Sequence, residues 1–504
     1  IMLFMPKFKS IHQLSLVLLI VWTATFYYHE RYTPSHVIRK CQWPSIISEQ
    51  DVEPPKTSRM LLVADPQLID SHTYPGRNNL LLKLSQHTVD AYIKKNYHAL
   101  LSELSPDYVV FLGDLLDNGR ESTDTYFYTQ LRRFNKIFYD PYKSVYQKGI
   151  NWFVNLPGNH DIGFGDGVNK YSRERFNREF APSNIIITLD GVDFVMLDTP
   201  SISATSDISY PATQFLQEIS SQEKKHPRVL LSHVPLFRDP QLSCGIHREA
   251  GPFDVFGHGF QYQNTVSEEL TNQILDQVKP DMILSGDDHD HCDIQHIDGT
   301  REITVKSISL AMGKKYPAVQ LLSFASVGAT EEIVYNTDIC YMPVPYVNII
   351  HYVIMSVISA LLVLWWNLKQ KSTRFTYSSS LLPLNSVINI PVESHSRRLK
   401  KFLKEQEQDS LPNEQTPPLS PSSSTYTLAS GQHLFSIPNY TFTQNNSSSF
   451  MKYVKNSKVG QTYIMNRRRV FTFMKRWNLF SFLKNSMMLG ISVIGVYYIF
   501  CLTI

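Results

Sequence analysis

Tyr108-Val109-Val110-Phe111-Leu112-Gly113-Asp114-Leu115-Leu116-Asp117-Asn118-Gly119-Arg120 is the stretch from which the fold is read. Its first five residues form a continuous apolar run, the pattern of a β-strand buried on both faces. The run stops at a glycine and delivers two aspartates three residues apart. Four other places repeat the arrangement. Arg59–Ala64 leads to Asp65-Pro66-Gln67, and Trp152–Leu156 leads to Gly158-Asn159-His160-Asp161. Val229–Ser232 leads to His233, and Met282–Ser285 leads to Gly286-Asp287-Asp288-His289-Asp290-His291. Oxygen and imidazole donors at the ends of successive strands are what a two-metal phosphoryl site requires.

Helical spacing fills the gaps between these strands. Leu84–Leu104, Thr123–Phe138 and Ala212–Ser221 read as helices, and Ile185–Leu189 with Phe194–Leu197 read as a hairpin around Asp190-Gly191. Shorter strands are expected at 293–297, 303–309 and 319–324, and residues 29–57 read as an irregular, proline-containing lead-in. Strand–helix alternation followed by antiparallel strands predicts an α/β domain of two mixed sheets with helices outside.

Charge divides the chain. Residues 367–484 hold 17 Lys/Arg against 5 Asp/Glu, a net +12, while the rest carries net −9. Three uncharged apolar stretches separate these regions: Leu14 to Tyr28, Val344 to Trp366 and Ser486 to Ile504. The last two have about the 20 residues that cross a bilayer. The first is shorter, so a cleaved signal peptide is the alternative; an uncleaved anchor is favoured because the apolar run continues through Phe26, Tyr27 and Tyr28. The basic flanks orient all three. The expected domains are residues 1–28 as cytosolic N-terminus and signal-anchor, 29–343 as lumenal domain, 344–366 as a membrane helix, 367–484 as a largely disordered cytosolic loop, and 485–504 as a last membrane helix. The loop centres on Pro417-Pro418-Leu419-Ser420-Pro421 and carries the sequons at Asn439, Asn445 and Asn446. Its position between spans fits anionic lipid or topology control, so no nucleic-acid partner is expected.

Of five cysteines, Cys41, Cys244, Cys292 and Cys340 fall in the expected lumenal part, where three pairings into two disulfides are open. Cys41 with Cys340 is the favoured pair, since both lie next to membrane spans.

The order D-x-Q, GDxxDxGR, GNHD, a later His and G-x-x-H resembles the calcineurin-like metallophosphoesterase superfamily over about residues 59–325. Ala64-Asp65-Pro66-Gln67, the domain between spans and the Ser285-Gly286-Asp287-Asp288-His289-Asp290 string are similar to the fungal cell division control protein 1 branch and its animal relative. The resemblance implies an α-β-β-α sandwich plus transmembrane helices. It further implies a phosphodiesterase of the endoplasmic reticulum or Golgi membrane holding two divalent ions, expected to be Mn²⁺. Its substrate would be a GPI-anchored glycolipid or GPI-protein, from whose glycan it removes the ethanolamine phosphate on a mannose.

Residue by residue, the resemblance makes Asp114 the bridging carboxylate, with Asp65 on one metal and Asn159 and His233 on the other. His160 would contact the phosphate or act as general acid, with Asp161 holding its imidazole. Arg120 would grip a phosphate oxygen. Gln67 stands where the superfamily commonly has histidine; it would bind weakly through its amide oxygen or hold a water. Counting from Gly286 puts Asp287 and His289 on the metals; counting from the histidines would use His289 and His291. The first register keeps the glycine directly after the strand, and a carboxylate there hardens the site toward Mn²⁺. The competing readings are a lumenal metallophosphatase for another phosphoester and a weakened site serving as a scaffold or cargo-binding protein.

Overall fold

A computed structural model describes residues 8, 10–46, 57–327, 332–379 and 478–502. The expected loop from residue 380 onward, with Pro417, the three sequons and the Arg467–Arg469 cluster, lies outside the described residues. The chain divides into two units, residues 1–361 with 486–504, and residues 362–485.

In the first unit two sheets stack. One has the order β13-β12-β1-β2-β3, built from β1 (Ser58–Val63), β2 (Tyr108–Phe111), β3 (Trp152–Phe153), β12 (Ala318–Val327) and β13 (Glu332–Tyr341). The other runs β10-β11-β9-β6-β5-β4. Its strands are β4 (Ile185–Leu189), β5 (Val192–Leu197), β6 (Arg228–Ser232), β9 (Met282–Ser285), β10 (Cys292–Gln295) and β11 (Arg301–Thr304). A two-residue hairpin, β7 (His258–Gly259) with β8 (Tyr262–Gln263), stands apart. β1-β2-β3 and β5-β6-β9-β11 are parallel.

The apolar runs are explained by the layers. Met60, Leu62, Val110 and Leu112 of one sheet meet Phe194, Met196, Val229, Leu231, Met282 and Leu284 of the other. The alternate residues of the first sheet, Leu61, Val63, Val109 and Phe111, pack outward. There they meet α2 (Asn79–Leu104) and α3 (Asp124–Phe138), whose Ile93, Tyr97, Leu100, Phe134 and Phe138 share their core. Val195, Leu230 and Ile283 pack outward on α5 (Tyr210–Ser221) and α6 (Glu268–Val278). Helix, sheet, sheet, helix is the expected architecture; β2, β6 and β9 are apolar through their middles on both faces, whereas β11 buries Glu302 and Thr304 on one face. The remaining helices of ten residues or more are α1 (Ile11–Tyr27), α4 (Lys170–Glu179), α7 (Val347–Ser379) and α8 (Leu479–Leu502).

Several boundaries differ from the sequence reading. Residues 29–57 are not all irregular: one π-turn (Tyr28–Tyr32) joins α1 to a helix over Thr33–Ile38. Pro34 follows directly on that π-turn, where the hydrogen bonding has shifted so that the Thr33 N–H donates to the Tyr28 carbonyl, and the helix continues through the proline. The strand expected at 303–309 ends at Thr304, because the chain leaves the sheet to brace β1: Ser307 Oγ donates to the Asp65 carbonyl at 2.7 Å. β3 pairs only at Trp152–Phe153, where β2 offers partners. α7 begins at Val347, past Pro345, and runs beyond 366 to Ser379, since neither glycine nor proline interrupts it. β13, α4 and α6 were not foreseen.

Three helical stretches, Ile11–Ile38, Val347–Lys369 and Leu479–Cys501, are long and apolar enough to cross a membrane. Disulfides join Cys41 to Cys340 and Cys244 to Cys292. The first ties the lead-in from α1 to β13, just before α7; the second ties the 237–265 excursion to β10.

Candidate metal centre

Asp65 follows β1, Asp114 follows β2, Asn159 follows β3, His233 follows β6 and Asp287 follows β9. All five therefore leave the carboxyl ends of parallel strands, where open α/β sheets place their ligands. Ligand atoms of Asp65, Asp114 and His233 lie within 4.8 Å of one another, and all three residues are buried. His233 Nε2 is 3.4 Å from Asp114 Oδ1, 3.4 Å from Asp287 Oδ1 and 3.3 Å from Asn159 Oδ1. The backbone N–H of Asp287 donates to Asp65 Oδ1 at 3.0 Å, and that of His160 to Asp114 Oδ1 at 2.9 Å.

Backbone conformation is committed to this convergence. Asp65, Gln67, Asp114, Asp287 and His289 all have positive φ, between +31° and +70°. Non-glycine residues seldom accept that region, and such strain persists where the surroundings enforce it. Gly113 and Gly158 make the approach possible. A Cβ on Gly113 would strike the His233 ring, and one on Gly158 would strike the Asp114 carboxylate. Gly158→Ala is thus expected to displace Asp114 and lower phosphoesterase activity roughly 100-fold, with less bound metal by elemental analysis. Wild-type metal content in that variant would contradict the geometry.

The donor set fits divalent cations. Leu112's carbonyl accepts from His233 Nδ1 at 2.8 Å, so Nδ1 carries the proton and Nε2 turns its lone pair to the cluster. Burial works to lower the His233 pKa, but Asp114, Asp287 and Asp65 raise it well above the ordinary value. Burial, with Asp114 and Asp287, also raises Asp65 well above the carboxylate range. Asp114 is lowered because His233 and His160 outweigh its burial. Two buried carboxylates and a half-buried third around one imidazole are a concentration of acidic groups that calls for cations. Among the described residues, Asp65 Oδ2 and His289 Nε2 are buried without a hydrogen-bond partner. Burial lowers the His289 pKa to about 4, which keeps its ring a neutral donor of electrons. The residues fit a dimetal site.

His160 lies beside this cluster. Its Nδ1 donates to the Asp117 carbonyl at 2.6 Å. The Gln67 amide nitrogen is 3.1 Å from His160 Nε2 and donates to Asp117 Oδ1 at 3.1 Å, while Gln67 Oε1 is buried and unpaired. His72, Asp117 and His160 form a second close group at the mouth.

Two expected roles are corrected. Asp161 does not hold the His160 imidazole. Its carboxylate accepts from the backbone N–H groups of Leu115, Leu116 and Gly158, stapling the two ligand loops together, and the Asp117 carbonyl and Gln67 hold the imidazole. Arg120 does not face the phosphate position: it is 6% exposed and donates Nη1 to the Asn159 carbonyl at 3.2 Å. It supports the Asn159–His160 turn from below. His291 stands apart from the cluster, its ring beside His247, whereas Asp287 faces His233. Gln261, which the sequence did not single out, closes one side by accepting from Asn159 Nδ2 at 3.1 Å through its carbonyl.

The calcineurin-like phosphoesterase profile matches residues 59–291. Cell division control protein 1 of Saccharomyces cerevisiae is 37% identical over 373 residues, covering 70% of this chain and 74% of that protein. Metallophosphoesterase 1 of Danio rerio is 29% identical over 325 residues, covering 60% and 80%. A dimetal phosphatase structure from Danio rerio aligns over 57% of this chain and 99% of its own, with 11% identity and a TM-score of 0.33.

Proposed function

The chain belongs to the calcineurin-like phosphoesterase family, and from that premise we propose that it is a membrane-anchored dimetal phosphodiesterase that removes ethanolamine phosphate from a mannose of the GPI-anchor glycan. One observation carries the reading. A cluster of Asp65, Asp114 and His233, with Asn159 and Asp287 against the His233 ring and His289 in electrostatic reach, sits in a phosphoesterase domain flanked on both sides by helices long and apolar enough to cross a membrane. Such a domain meets lipid-anchored phosphoesters at high local concentration.

Those six residues would hold two divalent cations, which neutralise phosphate oxygens and supply hydroxide near neutral pH. His160 would act as general acid in its imidazolium form, with Nδ1–H held on the Asp117 carbonyl and the Nε2 proton passed to the leaving oxygen. Asp161 and Arg120 would hold the Asn159–His160 turn in place. The carboxylate of Asp287, where the family commonly has histidine, favours Mn²⁺. The basic flanks support a lumenal orientation of the domain, and the resemblance supports a site in the endoplasmic reticulum or Golgi membrane.

The test is headgroup analysis of GPI glycans from cells lacking the chain. Ethanolamine phosphate should persist on the mannose and disappear on re-expression of the wild type but not of Asp114→Asn. Normal ethanolamine phosphate content in the depleted cells would remove this substrate and leave the phosphoesterase.

A further inference from the structure

The amphipathic helix α2 has a face that the phosphoesterase domain does not use. Leu80, Leu81 and Leu84 at its start are 76%, 55% and 59% exposed. Three exposed leucines within five residues are not a solvated surface. Their stripe continues, at helical spacing, into His87 and Lys95, and both of these touch the apolar helices. His87 Nε2 is 3.2 Å from the Tyr497 hydroxyl of α8, and its ring also meets Tyr498. Lys95 Nζ pairs with Glu30, just beyond α1, at 2.9 Å.

The order of these contacts gives a direction. Along α2, Lys95 precedes Glu103; along the α1 lead-out, Glu30 precedes Arg39; and Lys95 pairs with Glu30 as Glu103 pairs with Arg39. The two run side by side in the same sense. On α8, Tyr497 lies by His87 and Cys501 lies within electrostatic range of Lys94, again in the same sense. α1 leads into the phosphoesterase domain with its C-terminal end, so the N-terminal end of α2 points back toward the bilayer. Leu80 lies about 10 Å further along that axis than His87. The level of His87 is itself set by Tyr497, whose ring packs on Phe26 of α1 at 5.4 Å. Below Tyr497 on α8 the exposed residues are again apolar, Ile494 and Ile491. The residues before the leucines are those of a membrane interface, Tyr74 with Arg77 stacked 3.5 Å over its ring, and the exposed Lys83 among the leucines has a stem long enough to carry its charge back to the headgroups.

We propose that the first turns of α2, residues 80–84, are immersed in the leaflet nearest the phosphoesterase domain, as a contact with lipid additional to the spanning helices. His72, at the mouth of the metal centre, lies only eight residues before Leu80 in the same loop. Immersion at Leu80 therefore holds the mouth at headgroup level, and it rests for its activity test on the reading of a lipid-anchored substrate.

Two measurements on the full chain in phosphatidylcholine vesicles decide it. In Leu84→Trp, the emission added to that of the six native tryptophans should be quenched by lipids brominated near the headgroup end of the acyl chain. Absence of added quenching overturns the proposal, including where the leucines instead cover a second copy of the chain. In Leu80→Glu/Leu81→Glu/Leu84→Glu, hydrolysis of a lipid-anchored phosphodiester should fall roughly tenfold while that of a soluble phosphodiester is unchanged. Unchanged rates on both also overturn it. If the wild type hydrolyses neither ester, the functional reading has failed, and the quenching result alone supports or overturns immersion.

Discussion

Asp114→Asn should abolish the rise in melting temperature that added Mn²⁺ gives the wild type, and lower the melting temperature of the chelator-stripped protein. Asp65, Asp114 and Asp287 surround the one imidazole of His233, within 3.4 to 3.8 Å of its nitrogens. Burial works against the Asp114 charge, but His233 and His160 hold the carboxylate below its ordinary range, so without cations its charge stabilises the fold and asparagine forfeits that gain. Asparagine has the same shape, so the 2.9 Å bond from the His160 N–H to Oδ1 survives and the fold is kept. Cations that bind only the native state stabilise it by mass action, and the variant has lost the most central donor. A residue that merely shaped the turn after β2 would lower the melting temperature and leave the response to Mn²⁺ intact. In turnover, loss of the Asp114 charge is expected to cost about 4 kcal/mol of transition-state stabilisation, or roughly 1000-fold. Differential scanning fluorimetry with and without Mn²⁺, alongside hydrolysis of a soluble phosphodiester, reads all three. A variant that still responds fully to Mn²⁺, or one that keeps wild-type turnover, would sink the assignment.

The strands and their terminal ligands were legible because one physical pattern wrote both. A strand buried on two faces must be apolar throughout, so the first polar residue after it stands out, as Asp114 does after Leu112 and Asp65 after Ala64. What was not legible depends on contacts between distant segments. Nothing in Gly158-Asn159-His160-Asp161 says that Asp161 turns toward the backbone of Leu115 and Leu116 rather than toward its neighbour His160. Arg120 lies in a motif whose exposed arginine would grip phosphate; only the packed structure shows it beneath Asn159. Gln261 reaches the site from a two-residue hairpin that carries no periodic signal. β13 alternates between half-buried and exposed positions and holds Cys340, so its residues resemble a surface loop until β12 pairs with it. Helix ends were misjudged for a simpler reason. The chain between Tyr28 and Ile38 holds Glu30, Arg31 and Pro34, which read as the end of an apolar span; Glu30 stays inside because Lys95 meets it.

That buried pair supports the second large effect. Lys95→Met should destabilise the protein by about 3–5 kcal/mol, because it leaves the Glu30 carboxylate buried without its cation. Glu30 and Lys95 are 3% and 5% exposed. Glu30 Oε2 meets Lys95 Nζ at 2.9 Å, and Oε1 accepts from the Tyr352 hydroxyl of α7. Lys95 Nζ also donates to the His29 carbonyl at 3.3 Å. One carboxylate therefore gathers the lead-out of α1, α2 and α7 at the point where the apolar helices meet the phosphoesterase domain. Removing the lysine exposes the cost of burying that charge, whereas removing both charges does not. Glu30→Gln/Lys95→Met keeps the acceptor for Tyr352 and should recover most of the loss, so the double-mutant cycle should show a coupling of several kcal/mol. Large disulfide-bonded proteins commonly unfold irreversibly, so the readout is the half-life of soluble-phosphodiester activity at a fixed elevated temperature. The single variants should inactivate much faster than wild type and the double variant at close to the wild-type rate. Additive losses would mean that the two residues act independently and that the clamp between span and domain lies elsewhere. If the coupling is found, α2 is fastened to α1 at Lys95 and Glu103 and to α8 at His87, with the loop that bears Gln67 and His72 just before its start. The position of the catalytic mouth is then set by the apolar helices themselves, and the same cycle repeated on a lipid-anchored phosphodiester should show a larger coupling than on a soluble one.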